Sequence, residues 1–314
     1  MSNKPKVYID GKEGTTGLQI YERLGQREDI ELLLIDEDKR KDIDERKKFL
    51  NAADLVFLCL PDAAAIEAVS LIENPNTRVI DASTAHRTNP DWTYGFAELL
   101  AGQREKIAVS KRVANPGCHA TGFLASAAPL TALGVLPADY PVTCYSLTGY
   151  SGGGKKMIAE FEQEGRSEEL DAPAPYAIGL THKHLPEMQK LAGLEQAPVF
   201  VPVLGDYYKG MATTVMLHNR LLKGAPTAQD IHAMLDKYYA GSTFVRVAPF
   251  GGESPRLHAN TLAGKDWLEL IVSGHAEQTI ITARFDNLGK GASGAAVQNM
   301  NIMLGFEETA GLNV

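Results

Sequence analysis

The sequence predicts an α/β domain followed by an α+β domain in one chain: a doubly wound domain on a parallel sheet, then a domain on a mostly antiparallel sheet. Three observations predict this. Between Lys6 and Val109, apolar strand-like runs alternate with helix-patterned segments, the pattern of βαβ units. The first run feeds directly into a glycine turn, Gly11-Lys12-Glu13-Gly14-Thr15-Thr16-Gly17. Beyond Leu133, strand-like runs follow one another with few helices between them, as in an antiparallel sheet covered by helices on one face. A length of 314 residues suits two domains. The expected boundaries are 1–117 for the first, completed by a carboxy-terminal helix at 290–314, and 118–289 for the second.

Hydrophobic residues make up 44% and charged residues 22% of the chain, as in ordinary globular proteins. A formal net charge of -8 argues against nucleic-acid or anionic-membrane partners, so an anionic ligand must be held by local Lys, Arg and backbone groups. Three Cys without close spacing give neither a disulfide framework nor a Cys-rich metal site. The start, Met1-Ser2-Asn3-Lys4-Pro5, lacks the apolar stretch of a signal peptide. No run approaches the roughly 20 apolar residues of a membrane span. The expected address is the cytoplasm and the expected partner a small molecule.

Lys6–Asp10 reads as the first strand, and Leu18, Tyr21 and Leu24 follow the glycines at helical spacing. Strand, glycine turn and helix are the context of a Rossmann-type fingerprint, although the spacing is G-x-x-G-x-x-G rather than G-x-G-x-x-G. Such glycines let backbone approach a pyrophosphate, whose charge the helix start receives. The cofactor candidates are Gly11, Gly14, Thr15, Thr16 and Gly17, against the alternative of a plain turn. Glu31–Ile35 is the second strand, ending at Asp36. An acid there bonds the adenosine ribose of NAD, whereas the following Lys39, Arg40 and Lys41 could hold the 2′-phosphate of NADP. The reading leans to NADP, against a merely solvated loop. Leu55–Leu60 is a continuous apolar run stopped by Pro61, a strand buried on both faces, with Cys59 as inert core. Ala63–Ile72 is helical. Arg78–Asp81 is the next strand, delivering Ser83, His86 and Arg87 to a loop at its carboxyl end, where ligands bind in such sheets. Arg87 is there an anion ligand or a surface arginine. Ile107–Val109 reads as a further strand.

That run leads to Asn115-Pro116-Gly117-Cys118-His119. Pro116 and Gly117 force a tight turn, and Ala120–Leu133 reads as a helix. Cys118 thus falls near the first helical turn, where unpaired N–H groups and the dipole favour an anion. Lowering a thiol pKa from about 8.5 by about 2 units requires roughly 2.7 kcal/mol of thiolate stabilisation. A helix start with a nearby imidazolium could supply it. Cys118 is a nucleophile on this reading, or else a buried structural Cys.

Val142–Leu147 is a strand with a structural Cys144. Ser151-Gly152-Gly153-Gly154-Lys155-Lys156 is a polar turn opening a helix at Met157–Glu162, either a second phosphate contact or a surface loop. Asp171–Pro175 is an extended connector. In His182-Lys183-His184-Leu185-Pro186-Glu187, two His at i and i+2 on an extended chain point to opposite faces, so one of them is expected to serve Cys118 as acid/base. A structural pair is the alternative, and a metal site lacks further ligands. Pro186 fits the first turn of a helix. Strands follow at Val199–Val203, Met211–Leu217, Phe244–Val247, Leu268–Val272 and Thr279–Phe285, with a helix at Ala228–Tyr239 after Thr227 as N-cap. Lys209 and Arg256 lie in turns, as anion ligands or as solvated cations. Asp286–Gly294 is a glycine-rich turn opening a helix to about Leu304, which packs back on the first domain with its start beside the nicotinamide.

Taken together, these pieces resemble the N-acetyl-gamma-glutamyl-phosphate reductase family in its shorter form, grouped with aspartate-semialdehyde dehydrogenase and, more distantly, glyceraldehyde-3-phosphate dehydrogenase. The resemblance rests on the glycine turn, Asn115-Pro116-Gly117-Cys118, His182-x-His184-x-Pro186-Glu187, and Asn287-Leu288-x-Lys290-Gly291-Ala292-x-Gly294 with Gln298-Asn299-Met300-Asn301. It spans nearly the whole chain. Two departures touch the anion-binding roles: Ala-Ser-Thr-Ala-His-Arg follows Asp81 where many relatives carry an acid and Phe before the Arg, and Lys209 stands where Arg is common.

The resemblance implies an NADPH-dependent, arginine-biosynthetic reductase in which Cys118 attacks an acyl phosphate. The resulting thioester is reduced to a semialdehyde. His182 is the favoured proton donor, with His184 a substrate ligand or alternate acid. Arg87 and Asn115 hold the phosphate, and Lys209 and Glu187 join the substrate site. Pro61, Ser83, Gly152, Gly153 and Asn287 join the NADP(H) contacts, no metal takes part, and the chain forms a homo-oligomer, dimer or tetramer. The alternatives are an aspartyl or aminoadipyl acyl phosphate as substrate, a cofactor-free thiol hydrolase or acyltransferase, and a non-catalytic nucleotide-binding regulator.

Overall fold

The computed structural model describes residues 4–252 and 254–314. Met1, Ser2 and Asn3 of the amino-terminal reading lie outside the described residues. The chain divides into two compact units: Met1–Ala97, Gly102–Pro116 and Ala292–Leu312 form the first, and Glu98–Ala101, Gly117–Gly291 and Asn313–Val314 the second.

The first unit runs β1 (Lys6–Asp10), α1 (Thr15–Leu24), β2 (Glu31–Leu33), α2 (Ile43–Ala52), β3 (Leu55–Leu58), α3 (Asp62–Ser70), β4 (Arg78–Asp81), β5 (Thr93–Tyr94), α4 (Gln103–Val109) and β6 (Arg112–Ala114). Every pairing in its sheet is parallel, in the order β2-β1-β3-β4-β6-β5. Alternate strand residues feed two cores, as a sheet covered on both faces requires. Val7, Ile9, Phe57 and Ile80 pack with Ile20 and Leu24 of α1 and Ile107 of α4. Tyr8, Val56, Leu58 and Val79 pack with Leu50 of α2 and Ala65 and Ala68 of α3.

The expected strand at Ile107–Val109 is instead the end of α4. Ile107 is fully buried while Val109 is 83% exposed, although residues two apart would share a face on a strand. The strand that leads to Cys118 is β6, whose Val113 and Ala114 are the buried pair.

The second unit begins with α5 (Cys118–Ala132), β7 (Thr143–Gly149), α6 (Gly154–Glu162), β8 (Ala174–Pro175), α7 (Leu185–Leu191), β9 (Val199–Gly205) and β10 (Met211–His218). It continues with α8 (Ala228–Tyr238), β11 (Val245–Val247), β12 (Leu268–Gly274) and β13 (Gln278–Phe285). Among the described residues its strands lie in the order β11-β12-β13-β10-β7-β9-β8. Antiparallel pairs dominate, but β7–β9 and β11–β12 are parallel. Helix α5 is buried from His119 to Leu130, as a helix apolar on every side must be. Helix α8 opens on the expected Thr227 cap, here a complete capping box with Asp230.

A π turn at Gly289–Ser293 then leads into α9 (Gly294–Leu304), which rejoins the first unit. Its Ala296, Val297, Met300 and Met303 enter the same core as Val7 and Ile9. Arg78 ties β4 to the Met303 carbonyl.

Candidate active site

In the first unit, β1 lies between β2 and β3. The chain leaves β1 for one neighbour and returns to the other, which opens a crevice at the strands' carboxyl ends. The glycine turn sits there. Gly11 has φ +88, and a Cβ on it would overlap the Cys59 carbonyl oxygen. A Cβ on Gly17 would overlap the Gly11 carbonyl and lie 2.8 Å from Lys12 Cα. Gly14 is the N-cap of α1 and contributes no side-chain hydrogen bond. Thr15 and Thr16 form the first turn, and the buried Thr15 Oγ1 has no hydrogen-bond partner among the described residues.

A cavity of about 390 Å³ opens beside this turn, lined by Gly11, Lys12, Ile35, Arg40, Lys41 and Leu60 among others. Its floor is an ion pair: Arg46 donates from Nε and Nη2 to Asp10 at 3.2 and 2.9 Å, and from Nη1 to Glu67 at 3.1 Å. Burial raises the Asp10 carboxyl pKa, and Arg46 offsets part of that. An unpaired hydroxyl, glycines without room for a Cβ, and cations beside them fit a dinucleotide.

Asp36 and Lys39 point elsewhere. Their side chains are 74% and 50% exposed, paired with each other at 3.5 Å. Arg40 faces the cavity between Glu13 and Glu37, each 3.8 Å away. Pro61 is the N-cap of α3 and is exposed.

At the end of β4, the buried Asp81 accepts from Ser83 N–H at 2.9 Å, from Ser83 Oγ at 2.7 Å, and pairs with His86 Nδ1 at 2.6 Å. His86 stacks on Trp92. This holds the loop carrying Arg87, which donates from Nε to the Asn115 carbonyl (3.0 Å) and from Nη2 to the Ala82 carbonyl (3.1 Å). The Asn115 side chain is engaged inside the unit: Nδ2 donates to Ala292 O at 3.0 Å and Oδ1 accepts from Asn299 at 3.2 Å. Its carbonyl orients Arg87, and its amide joins β6 to α9.

In the second unit, Cys118 is the first residue of α5 and is half-buried. Gly291 packs against it, and a Cβ on Gly291 would lie 3.0 Å from Cys118 Cβ. The Gly117 N–H donates to Glu187 Oε2 at 3.2 Å. Burial keeps the other two cysteines as thiols, pushing Cys59 up to about 12 and raising Cys144 further.

The His182–His184 segment is a turn, not an extended strand: Leu185 N–H donates to His182 O and His184 N–H to His182 Nδ1 at 3.1 Å. The expectation of opposite faces therefore fails, and the two rings sit edge-on with centroids 4.7 Å apart. The His184 N–H thus sets His182 Nδ1 against the backbone and leaves proton exchange to Nε2.

His119 completes the group, 5.3 Å from His182 and 5.6 Å from His184. Sequence reading gave neither His119 nor its partner Tyr176 a role. The residue after a nucleophile faces away from it on a helix, and Tyr176 lies just past the Asp171–Pro175 connector in a stretch without a motif.

Elsewhere in the unit, Lys209 lies 3.5 Å from the buried Asp286. Asn287 accepts from Gly210 N–H at 2.8 Å and donates to Ser151 Oγ at 3.0 Å, so its side chain braces the turn that exposes Gly152 and Gly153. Arg256 is exposed. Among the described residues no cluster of His, Cys, Asp and Glu has the arrangement of a metal site, and no helix is long and apolar enough to cross a membrane.

Comparison with known proteins agrees with both units. Residues 6–109 match the semialdehyde dehydrogenase NAD-binding domain and residues 118–287 the semialdehyde dehydrogenase dimerisation domain. Solved structures share the fold: aspartate semialdehyde dehydrogenase II of Vibrio cholerae superposes with a TM-score of 0.74 at 18% identity, over 96% of this chain and 99% of that one. The Candida albicans enzyme, solved with NADP, superposes at 0.66 and 15%, over 96% and 99%. The class is thus that of the semialdehyde dehydrogenases. Curated relatives narrow it. N-acetyl-gamma-glutamyl-phosphate reductase of Brucella ovis is 50% identical over 96% of this chain and 99% of its own length. N-acetyl-gamma-glutamyl-phosphate reductase 2 of a Nostoc species is 48% identical over 99% and 100%. The chain belongs to the N-acetyl-gamma-glutamyl-phosphate reductase family.

Proposed function

We propose that the chain reduces N-acetyl-gamma-glutamyl phosphate to N-acetylglutamate semialdehyde with NADPH, through a thioester on Cys118. The observation that carries this reading is a half-buried cysteine at the first position of a buried helix, in a unit that also gathers His119, His182 and His184. The Cys118 thiolate forms a C–S bond to the acyl carbon, the acyl C–O bond to phosphorus breaks, and inorganic phosphate leaves. Arg87, oriented by two backbone carbonyls, is the ligand for that phosphate, with Lys209 as a further cation for the substrate. The glycine turn, Thr15 and the Arg40 side of the cavity would hold the dinucleotide, which would supply a hydride to the thioester carbonyl when bound. His182 donates its Nε2 proton towards the developing alkoxide, and His184 stands as substrate ligand or alternate acid. Collapse of the thiohemiacetal breaks the C–S bond and releases the aldehyde. Cysteine suits the task because a thioester carbonyl accepts hydride more readily than a carboxylate.

The test is the Cys118→Ser variant. Turnover, followed by the absorbance of reduced cofactor with aldehyde, NADP and phosphate, should fall by at least about 10³-fold, while calorimetry finds NADP binding intact. Full turnover in Cys118→Ser would refute the covalent step. Aspartyl and aminoadipyl phosphates in the same assay test the substrate choice.

The reading places the enzyme in the cytoplasm as a homo-oligomer. One row across the second sheet, Val199, Thr143, Met216 and Ile280, lies on a single face by strand register, with Tyr145 beside it. Val199, Ile280 and Tyr145 are 51%, 39% and 37% exposed. A second copy of this chain covering that face accounts for the exposure. Sedimentation velocity should show a dimer or tetramer, and a monomer at micromolar concentration would overturn this.

A further inference from the structure

His119 lies one residue beyond Cys118 and is only 3% exposed. It bridges two elements of the second unit. Its Nδ1 lies 2.8 Å from Ser146 Oγ on β7, and its Nε2 lies 2.7 Å from the Tyr176 hydroxyl. Ser146 Oγ continues to Thr213 Oγ1 on β10 at 2.7 Å, and both residues are fully buried. Four polar groups thus form one chain, Thr213–Ser146–His119–Tyr176, against the rings of Phe200 and His182. Such a buried network is costly unless each member is satisfied. Between Cys118 and the sheet, an apolar side chain would fill the same space.

The ring is neutral under working conditions: burial first, then the neighbouring His182 and Lys183, lowers its pKa to about 3. It is therefore not the imidazolium that serves Cys118. A neutral imidazole between two hydroxyls has one donor and one acceptor. With the proton on Nε2, His119 donates to the Tyr176 oxygen and accepts from Ser146, which accepts from Thr213. Every bond then runs the same way, and the Tyr176 proton is left to point at a ligand. Burial and the nearby Cys118 charge both raise the Tyr176 phenol, so it stays a donor.

We propose that His119 is a positioning residue which, through Nε2, fixes the Tyr176 hydroxyl as a hydrogen-bond donor to the acyl oxygen on Cys118. The inference rests on the thioester reading above. It assigns Tyr176 the stabilisation of charge that develops when the carbonyl is attacked, while His182 keeps the proton transfer.

The experiment uses the full chain with His119→Asn, His119→Gln, Tyr176→Phe and His119→Asn/Tyr176→Phe. An Asn amide reaches about as far as Nδ1 and keeps Ser146, whereas a Gln amide reaches about as far as Nε2 and keeps Tyr176. A role in packing alone would treat the two amides alike. The expected result is a roughly 10²-fold fall in kcat for Tyr176→Phe and for His119→Asn, with KM within about threefold. His119→Gln should recover at least about tenfold of that loss. The double variant should be no slower than Tyr176→Phe, because the two residues act as a unit. Equal losses in the Asn and Gln variants, multiplied losses in the double variant, or parental kcat in Tyr176→Phe would each overturn the proposal. Mass spectrometry of enzyme quenched with acyl phosphate and no reductant separates the layers. An acyl adduct on Cys118 with independent losses overturns this inference alone, and no adduct in the parent overturns the thioester reading together with it.

Discussion

Helices α1 and α5 begin in the same way. Each follows a glycine N-cap that lends no side-chain hydrogen bond, and neither carries an acid in its first turn. Their surroundings differ. Helix α1 buries only Gly17, Ile20 and Leu24, and its Thr15 hydroxyl has no partner among the described residues. Helix α5 is buried along most of its length, and the Gly117 N–H at its start is already taken by Glu187. The first start is open to an anion from outside the protein, which suits a pyrophosphate. The second has part of its donor capacity engaged by a carboxylate of the chain itself. On the thioester reading, a thiolate at Cys118 draws on side chains as well as on the remaining N–H groups, and His119, being neutral, adds no charge. That leaves His182 and His184. A helix start thus sets a preference for negative charge, and the residues packed around it decide which charge is admitted.

The sharpest way to break this contrast is to titrate it. The His119 pKa falls from 6.5 to about 3 on folding. Between those values the unfolded chain binds a proton that the folded chain does not, so stability from this group is complete above about 6.5 and is lost as pH falls. Between pH 7.5 and pH 5 the loss is about 2 kcal/mol for this one residue. Urea unfolding at the two pH values should show it, and His119→Gln should flatten the difference by that amount. A variant with the parent's pH dependence would mean that the ring is protonated in the folded protein, and the assignment of a neutral His119 would fall.

Much of this was legible in the sequence because local chemistry and tertiary structure agree there. The glycine turn after β1, Cys118 at a helix start, the Thr227 cap and the returning helix α9 are each dictated by residues close together in the chain. What failed to show depended on partners far away in sequence. Ile107-Ala108-Val109 has strand-like composition, but the surrounding turn places it on a helix with Val109 in solvent. The rule that i and i+2 face apart holds for extended chain, and a turn before Pro186 brings His182 and His184 together instead. Asn115 and Asn287 sit among motif residues and read as ligands, a reading that leaves out what holds them. Their amides bond Ala292 and Asn299, and Gly210 and Ser151, contacts that span up to 184 positions. His119 needed Ser146 and Tyr176 beside it before its role could be stated.

The smallest effect concerns which dinucleotide the open start admits. Asp36, the position that would favour a free ribose hydroxyl, is turned to solvent and paired with Lys39. The cations that face the cavity are Lys12, Arg40, Lys41 and Arg46, and Arg46 is held by Asp10 and Glu67. On the proposed NADP reading, Arg40 is the cation that meets the 2′-phosphate. Its contacts to Glu13 and Glu37 are long, at 3.8 Å, and partly exposed, so exchanging them for a phosphate costs little. Arg40→Gln should weaken NADP binding about tenfold, or about 1.4 kcal/mol, by calorimetry. NAD binding should stay within about twofold, since the ribose hydroxyl has no charge for Arg40 to meet. Equal loss for both cofactors would place Arg40 on the shared pyrophosphate. Phosphate selectivity would then lie with Lys12 and Lys41, and the contrast between the two helix starts would have to be redrawn around the pyrophosphate alone.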